Sequence, residues 1–151
     1  MSEQKRYNYH ILPELNLIID SFSGTFTYDE IITCKINQAK DSLWRSDYNV
    51  LADIRNLKIT YTEDIIRSYA KPKGRVTEII SKRKSAALTL TPDQVVFEFI
   101  LQSNTSLDLG IEINFFSTLN AALSWLGIDV KHLSKLNRII DSLNDRMIDG
   151  K

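Results

Sequence analysis

The sequence predicts a single α/β domain over residues 1–151, with a mixed, mostly parallel sheet of about five strands and helices mainly on one face. Three observations carry this. Strand-like and helix-like segments alternate along most of the chain, which favours parallel strands joined by helical crossovers. Two helix starts carry capping boxes, Thr27-Tyr28-Asp29-Glu30 and Thr91-Pro92-Asp93-Gln94. The later strands alternate in polarity, with Ile111, Ile113 and Phe115 set against Glu112 and Asn114. A sheet covered by helices on both faces reads instead as continuous apolar runs.

Taken in order, Tyr7–Leu12 and Leu15–Phe22 are short, apolar and rich in Ile and aromatics, with Pro13-Glu14 between them, and read as a hairpin that Gly24 ends. The helix after the Thr27 cap carries Ile32, Ile36, Ala39 and Leu43 on one stripe and is expected to run to about Ser42. Asn49–Ile54 is a buried strand. Thr62 caps a helix over Glu63–Ala70, Lys71-Pro72-Lys73-Gly74 interrupts it, and Arg75–Lys82 resumes it. Ser85–Leu90 is the next strand, and the helix opened by Thr91 carries Val95, Val96, Phe99 and Ile100. Leu109–Phe116 is the last strand, Ser117–Leu126 a short helix that Gly127 terminates, and Lys131–Ile148 a final amphipathic helix.

With 151 residues, 43% hydrophobic and 25% charged, the chain has the composition of an ordinary globular domain. The single cysteine, Cys34, excludes an internal disulfide framework. The chain shows neither a secretory leader nor an apolar run long enough for a membrane span, and a cytoplasmic protein is expected. Net charge is zero, but only as a sum: residues 1–60, 61–84, 85–130 and 131–151 carry −1, +4, −5 and +2. A basic segment thus directly precedes an acidic one.

Several local sequences resemble the anti-sigma-factor-antagonist (STAS) superfamily, and within it the SpoIIAA-like branch. They are Leu17-Ile18-Ile19 followed by Gly24, Val50-Leu51-Ala52-Asp53-Ile54-Arg55 as central strand, and Ala121-Ala122-Leu123-Ser124-Trp125-Leu126 near the end. The resemblance covers residues 7–126 as a core, with 131–148 as an added helix. It implies a non-enzymatic regulatory module. In signalling members an acid closes the central strand, and a serine in the following loop is phosphorylated to release a partner. Asp53 matches the acid. The loop expected at Asn56–Asp64 lacks the Asp-Ser-Ser-Gly type of signature, leaving Thr60 and Thr62 as the nearest hydroxyls. Phosphate on Thr62 would meet a favourable helix N-terminus but also Glu63 and Asp64, so plain capping is the expected role and the usual switch is expected to be missing.

Outside that resemblance, candidate chemistry is sparse. His10 and His132 stand far apart with no metal-ligand spacing, Cys34 has no nominated base, and no nucleophile elbow or phosphate-binding loop occurs. No catalytic residue, metal or cofactor is expected. The sharpest feature is the basic run Arg67, Lys71, Lys73, Arg75, Lys82, Arg83 and Lys84. Lys71, Lys73, Arg75, Lys82, Arg83 and Lys84 form a candidate anion or partner patch, the plainer reading being a solvated helix face. With Tyr69 alone interleaved, nucleic acid is not an expected partner.

Two functions follow. One is a protein-interaction module whose unidentified partner reads Asp53, Thr60, Thr62 and the basic run. The other is a module for a lipid-like or anionic small molecule, related to SEC14-like folds, with Phe97, Phe99, Phe115, Phe116 and Trp125 lining a cavity or simply filling the core. The stripe Leu133, Leu136, Ile140, Leu143 and Met147 on the last helix either docks on its own sheet, the favoured reading, or pairs with a second copy as a homodimer.

Overall fold

The computed structural model describes residues 4–60, 83–90 and 111–148. β1 (Arg6–Leu12) and β2 (Leu17–Thr27) form the expected antiparallel hairpin, closed by a 3-10 turn at Pro13–Leu15. Asn16 leaves that turn in the left-handed region, φ 50°, which asparagine tolerates. β2 then pairs in parallel with β3 (Asn49–Thr60), β3 with β4 (Arg83–Leu88), and β4 with β5 (Ile111–Phe116). The spatial order is β1-β2-β3-β4-β5, a mixed, mostly parallel five-stranded sheet.

Three helices accompany the sheet among the described residues. α1 (Tyr28–Gln38) starts on the Thr27 capping box, with both reciprocal bonds formed, and ends four residues before the expected Ser42. α2 (Leu119–Leu126) is capped by the Thr118 hydroxyl and stopped by Gly127 at φ 75°. A 3-10 turn at Val130–His132 leads into α3 (Leu133–Ile148). The helices predicted over 63–82 and after Thr91 lie outside the described residues.

Strand alternation sorts the side chains onto two faces. On one, Leu12, Leu17, Ile19, Leu51, Ala86 and Leu88 pack against Ala122, Leu123 and Leu126 of α2 and Leu136, Ile140 and Leu143 of α3. Leu133, Leu136, Ile140 and Leu143 of the α3 stripe are therefore consumed within their own domain, as favoured, and a homodimer through that seam would have to expose them. On the other face Phe22, Phe26, Ile54, Leu57 and Ala87 gather Ile31 and Cys34 of α1, while Ile11, Ile18, Tyr48 and Val50 form a third cluster with Trp44. Two of the three described helices thus share a face, but the opposite face is covered along β1 to β3 as well.

β4 lies two residues earlier than expected, at Arg83–Leu88 rather than Ser85–Leu90, and β2 and β3 run well past their expected ends. β2 does not end at Gly24 but passes through it: Gly24 sits at φ +98°, where a Cβ would come within 2.8 Å of the Gln4 carbonyl oxygen. Close backbone approach, rather than a strand end, explains that glycine. β3 likewise continues from Ile54 to Thr60, because Leu57 and Ile59 still find a core to enter beside β2. The extension contains a bulge. Ser21 pairs with Asp53 and Ser23 with Asn56, so β3 holds one residue more than β2 between them. Ala52 and Ile54 before it, and Leu57 and Ile59 after it, consequently all serve the α1 face.

Candidate functional site

Between β2 and α1 lies a buried polar cluster centred on Asp20, which is 1% exposed. It follows from local geometry. Ile18, Asp20 and Phe22 alternate onto the α1 face, the hairpin register puts Tyr7 beside Phe22 and Tyr9 beside Asp20, and Lys35 and Gln38 lie one turn apart on α1. The Tyr7 hydroxyl donates to Asp20 Oδ1 at 2.9 Å, and Gln38 Nε2 donates to the same oxygen at 2.6 Å and to the Tyr7 hydroxyl at 2.7 Å. Lys35 Nζ donates to Asp20 Oδ2 at 2.5 Å and to Gln38 Oε1 at 2.8 Å. The Tyr7 ring stacks on Phe22 at 4.6 Å between centroids.

Burial, then the charge of Asp20, raises the Tyr7 phenol far above its ordinary range. Burial likewise raises the Cys34 thiol and lowers Lys35 and Arg83, each lowering partly offset by Asp20. Arg83 Nη1 is buried with no hydrogen-bond partner among the described residues. A phenol and a thiol held protonated are poor nucleophiles. The carboxylate has both oxygens occupied by hydrogen-bond donors. The cluster joins β1, β2 and α1 rather than presenting reactive atoms.

Asp53, expected at the end of the central strand, instead lies inside it, buried at 2% exposure, at the point where β3 stops pairing with β4. Arg55 clamps it in a two-bond fork, Nε to Oδ1 at 2.8 Å and Nη2 to Oδ2 at 2.9 Å. That bonding raises Arg55 above its ordinary range, with Asp141 of α3 contributing a smaller attraction. Thr60 is the last residue of β3, not a loop residue, and its hydroxyl donates to the Phe26 carbonyl at 3.5 Å. Thr62, Lys71, Lys73, Arg75 and Lys82 lie outside the described residues. Arg83 and Lys84 do not share a patch, because adjacent strand residues point to opposite faces. Arg83 faces Tyr7 and Asp20, whereas Lys84 Nζ donates to the Trp125 carbonyl at 3.3 Å and sits 5.2 Å from that ring's centroid. The same alternation separates Phe115, packed on the α1 side, from Phe116, which meets Trp125 at 5.6 Å on the other. These aromatics do not line one cavity, and Phe97 and Phe99 lie outside the described residues.

A feature absent from the sequence reading lies between β1 and α3: an open cleft of about 310 Å³ lined by His10, Lys135, Arg138, Ile139, Ser142 and Leu143. Its sequence signal was the 3-4 spacing of Lys135, Arg138 and Ser142 on the flank of the apolar stripe. Among the described residues, no group of three or more His, Cys, Asp or Glu is placed to hold a metal ion, and no helix is long and apolar enough to cross a membrane.

A solved structure carries the same architecture. An uncharacterised protein of the DUF3478 family from Shewanella loihica PV-4, described as having a SpoIIAA-like fold, matches with a TM-score of 0.53. The match covers 83% of this chain and 98% of that one, at 15% sequence identity. The chain has a SpoIIAA-like fold. At this identity the likeness extends to the fold alone. No family model matches the chain, and no curated protein matches its sequence. Within the SpoIIAA-like frame, α3 is the helix whose Leu136, Ile140 and Leu143 close the apolar face, and the basic cleft is formed along its flank.

Proposed function

We propose that this chain is a non-enzymatic, STAS-like protein-interaction module that works without the phosphoserine switch. The observation that carries the reading is the Asp53–Arg55 fork inside a strand that runs on to Thr60. A phospho-switch needs an acceptor hydroxyl on an accessible loop beside an available acid. Here the acid is buried and paired, and the stretch after it is ladder-bonded to β2. Tyr7, Lys35 and Gln38 are spent on Asp20 and on one another, which favours a scaffold that binds over one that reacts.

Native mass spectrometry of the chain isolated from its host tests this. The expected species is the chain plus a protein mass, unchanged in amount when Thr60→Glu mimics phosphorylation. A lipid-sized adduct in place of a protein partner would support the ligand-binding alternative, and loss of the complex with Thr60→Glu would restore the switch.

A further inference from the structure

Two observations outside the Asp20 and Asp53 clusters meet at one margin of the molecule. β1 is the edge of the sheet and, among the described residues, pairs with β2 alone, so alternate backbone N–H and C=O groups of Arg6–Leu12 face outward. Directly above that edge lies the cleft. His10 rises from β1 on the α3 side, while Lys135, Arg138 and Ser142 flank it from α3, and none of the six lining residues is acidic. At the cleft's end a carboxylate approaches, Glu14, whose Oε2 is 3.9 Å from Lys135 Nζ. Asp141, on another side of the helix, contributes a small attraction to Arg55.

We infer that this margin binds an acidic, extended peptide segment of a partner protein, added to β1 as a sixth strand. The inference rests on the interaction-module reading and names where and what such a module binds. Main-chain bonds along the edge supply affinity that does not depend on sequence, and the side chains on one face of the added strand read the cleft. The spacing fits. Lys135 to Ser142 spans about 10 Å along α3 at 1.5 Å per residue, enough to meet two acidic side chains about 6.7 Å apart at alternate strand positions. A second copy fits poorly. Antiparallel pairing of two β1 edges about a two-fold axis normal to the sheet sets both α3 helices on the same face, with Lys135 and Arg138 of each facing those of the other. That repulsion selects an acidic occupant.

NMR titration of the full chain with a ten-residue peptide of alternating Glu and Thr tests the inference. Amide shifts are expected along Arg6–Leu12 and Lys135–Leu143. The exposed double variant Lys135→Glu/Arg138→Glu, checked for native circular dichroism, should bind about tenfold more weakly. A version of the peptide N-methylated at alternate residues on the pairing edge should lose binding, which separates strand addition from simple charge attraction. The inference is overturned if the Lys-Thr counterpart binds as well, if N-methylation changes nothing, or if inorganic phosphate or oligo-dT occupies the same residues as tightly. It is also overturned if β1 shifts follow protein concentration without peptide. If a native partner complex forms but ignores the double variant, the edge assignment falls and the module reading stands. If no protein accompanies the chain yet the peptide binds the edge, the module reading falls instead.

Discussion

Against α2 and α3 the sheet presents Leu17, Ile19, Leu51, Ala86 and Leu88, all buried, whereas against α1 it presents Ile18, Asp20 and Phe22. A carboxylate thus sits on the α1 face midway along β2, where the opposite face holds aliphatic carbon at Leu17 and Ile19 and turns polar only farther along, at Ser21 and Asp53. The first face is held by area: each fully buried Leu or Ile contributes about 1.5–3 kcal/mol, and a residue of similar volume would serve nearly as well. The second is held by matching. Desolvating Asp20 and Lys35 offsets most of their attraction, so the pair adds little net stability when intact. Any other seating of α1 leaves a buried charge without its partner, so this face discriminates among packings where the apolar face merely rewards burial.

The largest expected effect comes from breaking the match. Asp20→Ala leaves Lys35 and Arg83 facing a void and strips Tyr7 and Gln38 of their shared acceptor, and should lower unfolding free energy by about 4 kcal/mol in a denaturant titration. A loss below about 1 kcal/mol would show that the two faces do not differ in kind. Leu136→Ala, at a position with no exposure on the apolar face, should cost about 3 kcal/mol by lost transfer energy and an unfilled cavity. Unlike Asp20→Ala, it should be largely recovered by Leu136→Met, since volume is what that face requires.

Tyr7→Phe is the gentlest probe, removing one hydroxyl from the cluster for about 1–2 kcal/mol near neutral pH. Its pH dependence carries a sign. The folded chain holds the phenol above its ordinary value of 10.0, so below pH 10 both states keep the proton and the contribution is complete. Above pH 10 only the unfolded chain releases it, and stability falls by about 1.4 kcal/mol per pH unit from this group. Denaturation curves between pH 9 and 11 should therefore converge for wild type and Tyr7→Phe as pH rises. Parallel curves would mean that the phenol ionises freely in the fold.

The apolar face was legible in the sequence because period and capping agree there. The Gly127 stop and the Leu136, Ile140, Leu143 stripe stand where the pattern placed them, and so does the Thr27 box, although the helix it opens lies on the other face. The polar face was hidden by the same logic. Asp20 follows Leu17-Ile18-Ile19 and reads as the tail of an apolar strand, and its partners Tyr7, Lys35 and Gln38 come from two other elements. The one local hint was the one-turn spacing of Lys35 and Gln38, which a solvated helix shares. Beyond Ile54 the strand was missed because Arg55, Asn56, Lys58 and Thr60 alternate with Leu57 and Ile59, a half-exposed pattern that resembles a loop when read without β2. Residues such as Arg83 and Lys84 look like one charge run in sequence and are divided by a strand's two-residue period.

The bulge between Asp53 and Asn56 makes β3 a strand of two phases. Before it, even-numbered residues enter the α1 face; after it, odd-numbered ones do. The chain therefore tolerates changes of length unevenly. A residue inserted in the exposed 42–47 connection lengthens a turn. Removing one at 55 or 56 leaves Ile54 and Leu57 two positions apart, the ordinary period of a strand, so Leu57 and Ile59 keep the α1 face and only the bulge is lost. Inserting one there would turn Leu57 and Ile59 outward and bring Lys58 inside. An evolving or engineered copy of this chain could therefore shed the supernumerary residue and keep the same side chains in the core, but could not add a second beside it without rewriting everything downstream to Thr60.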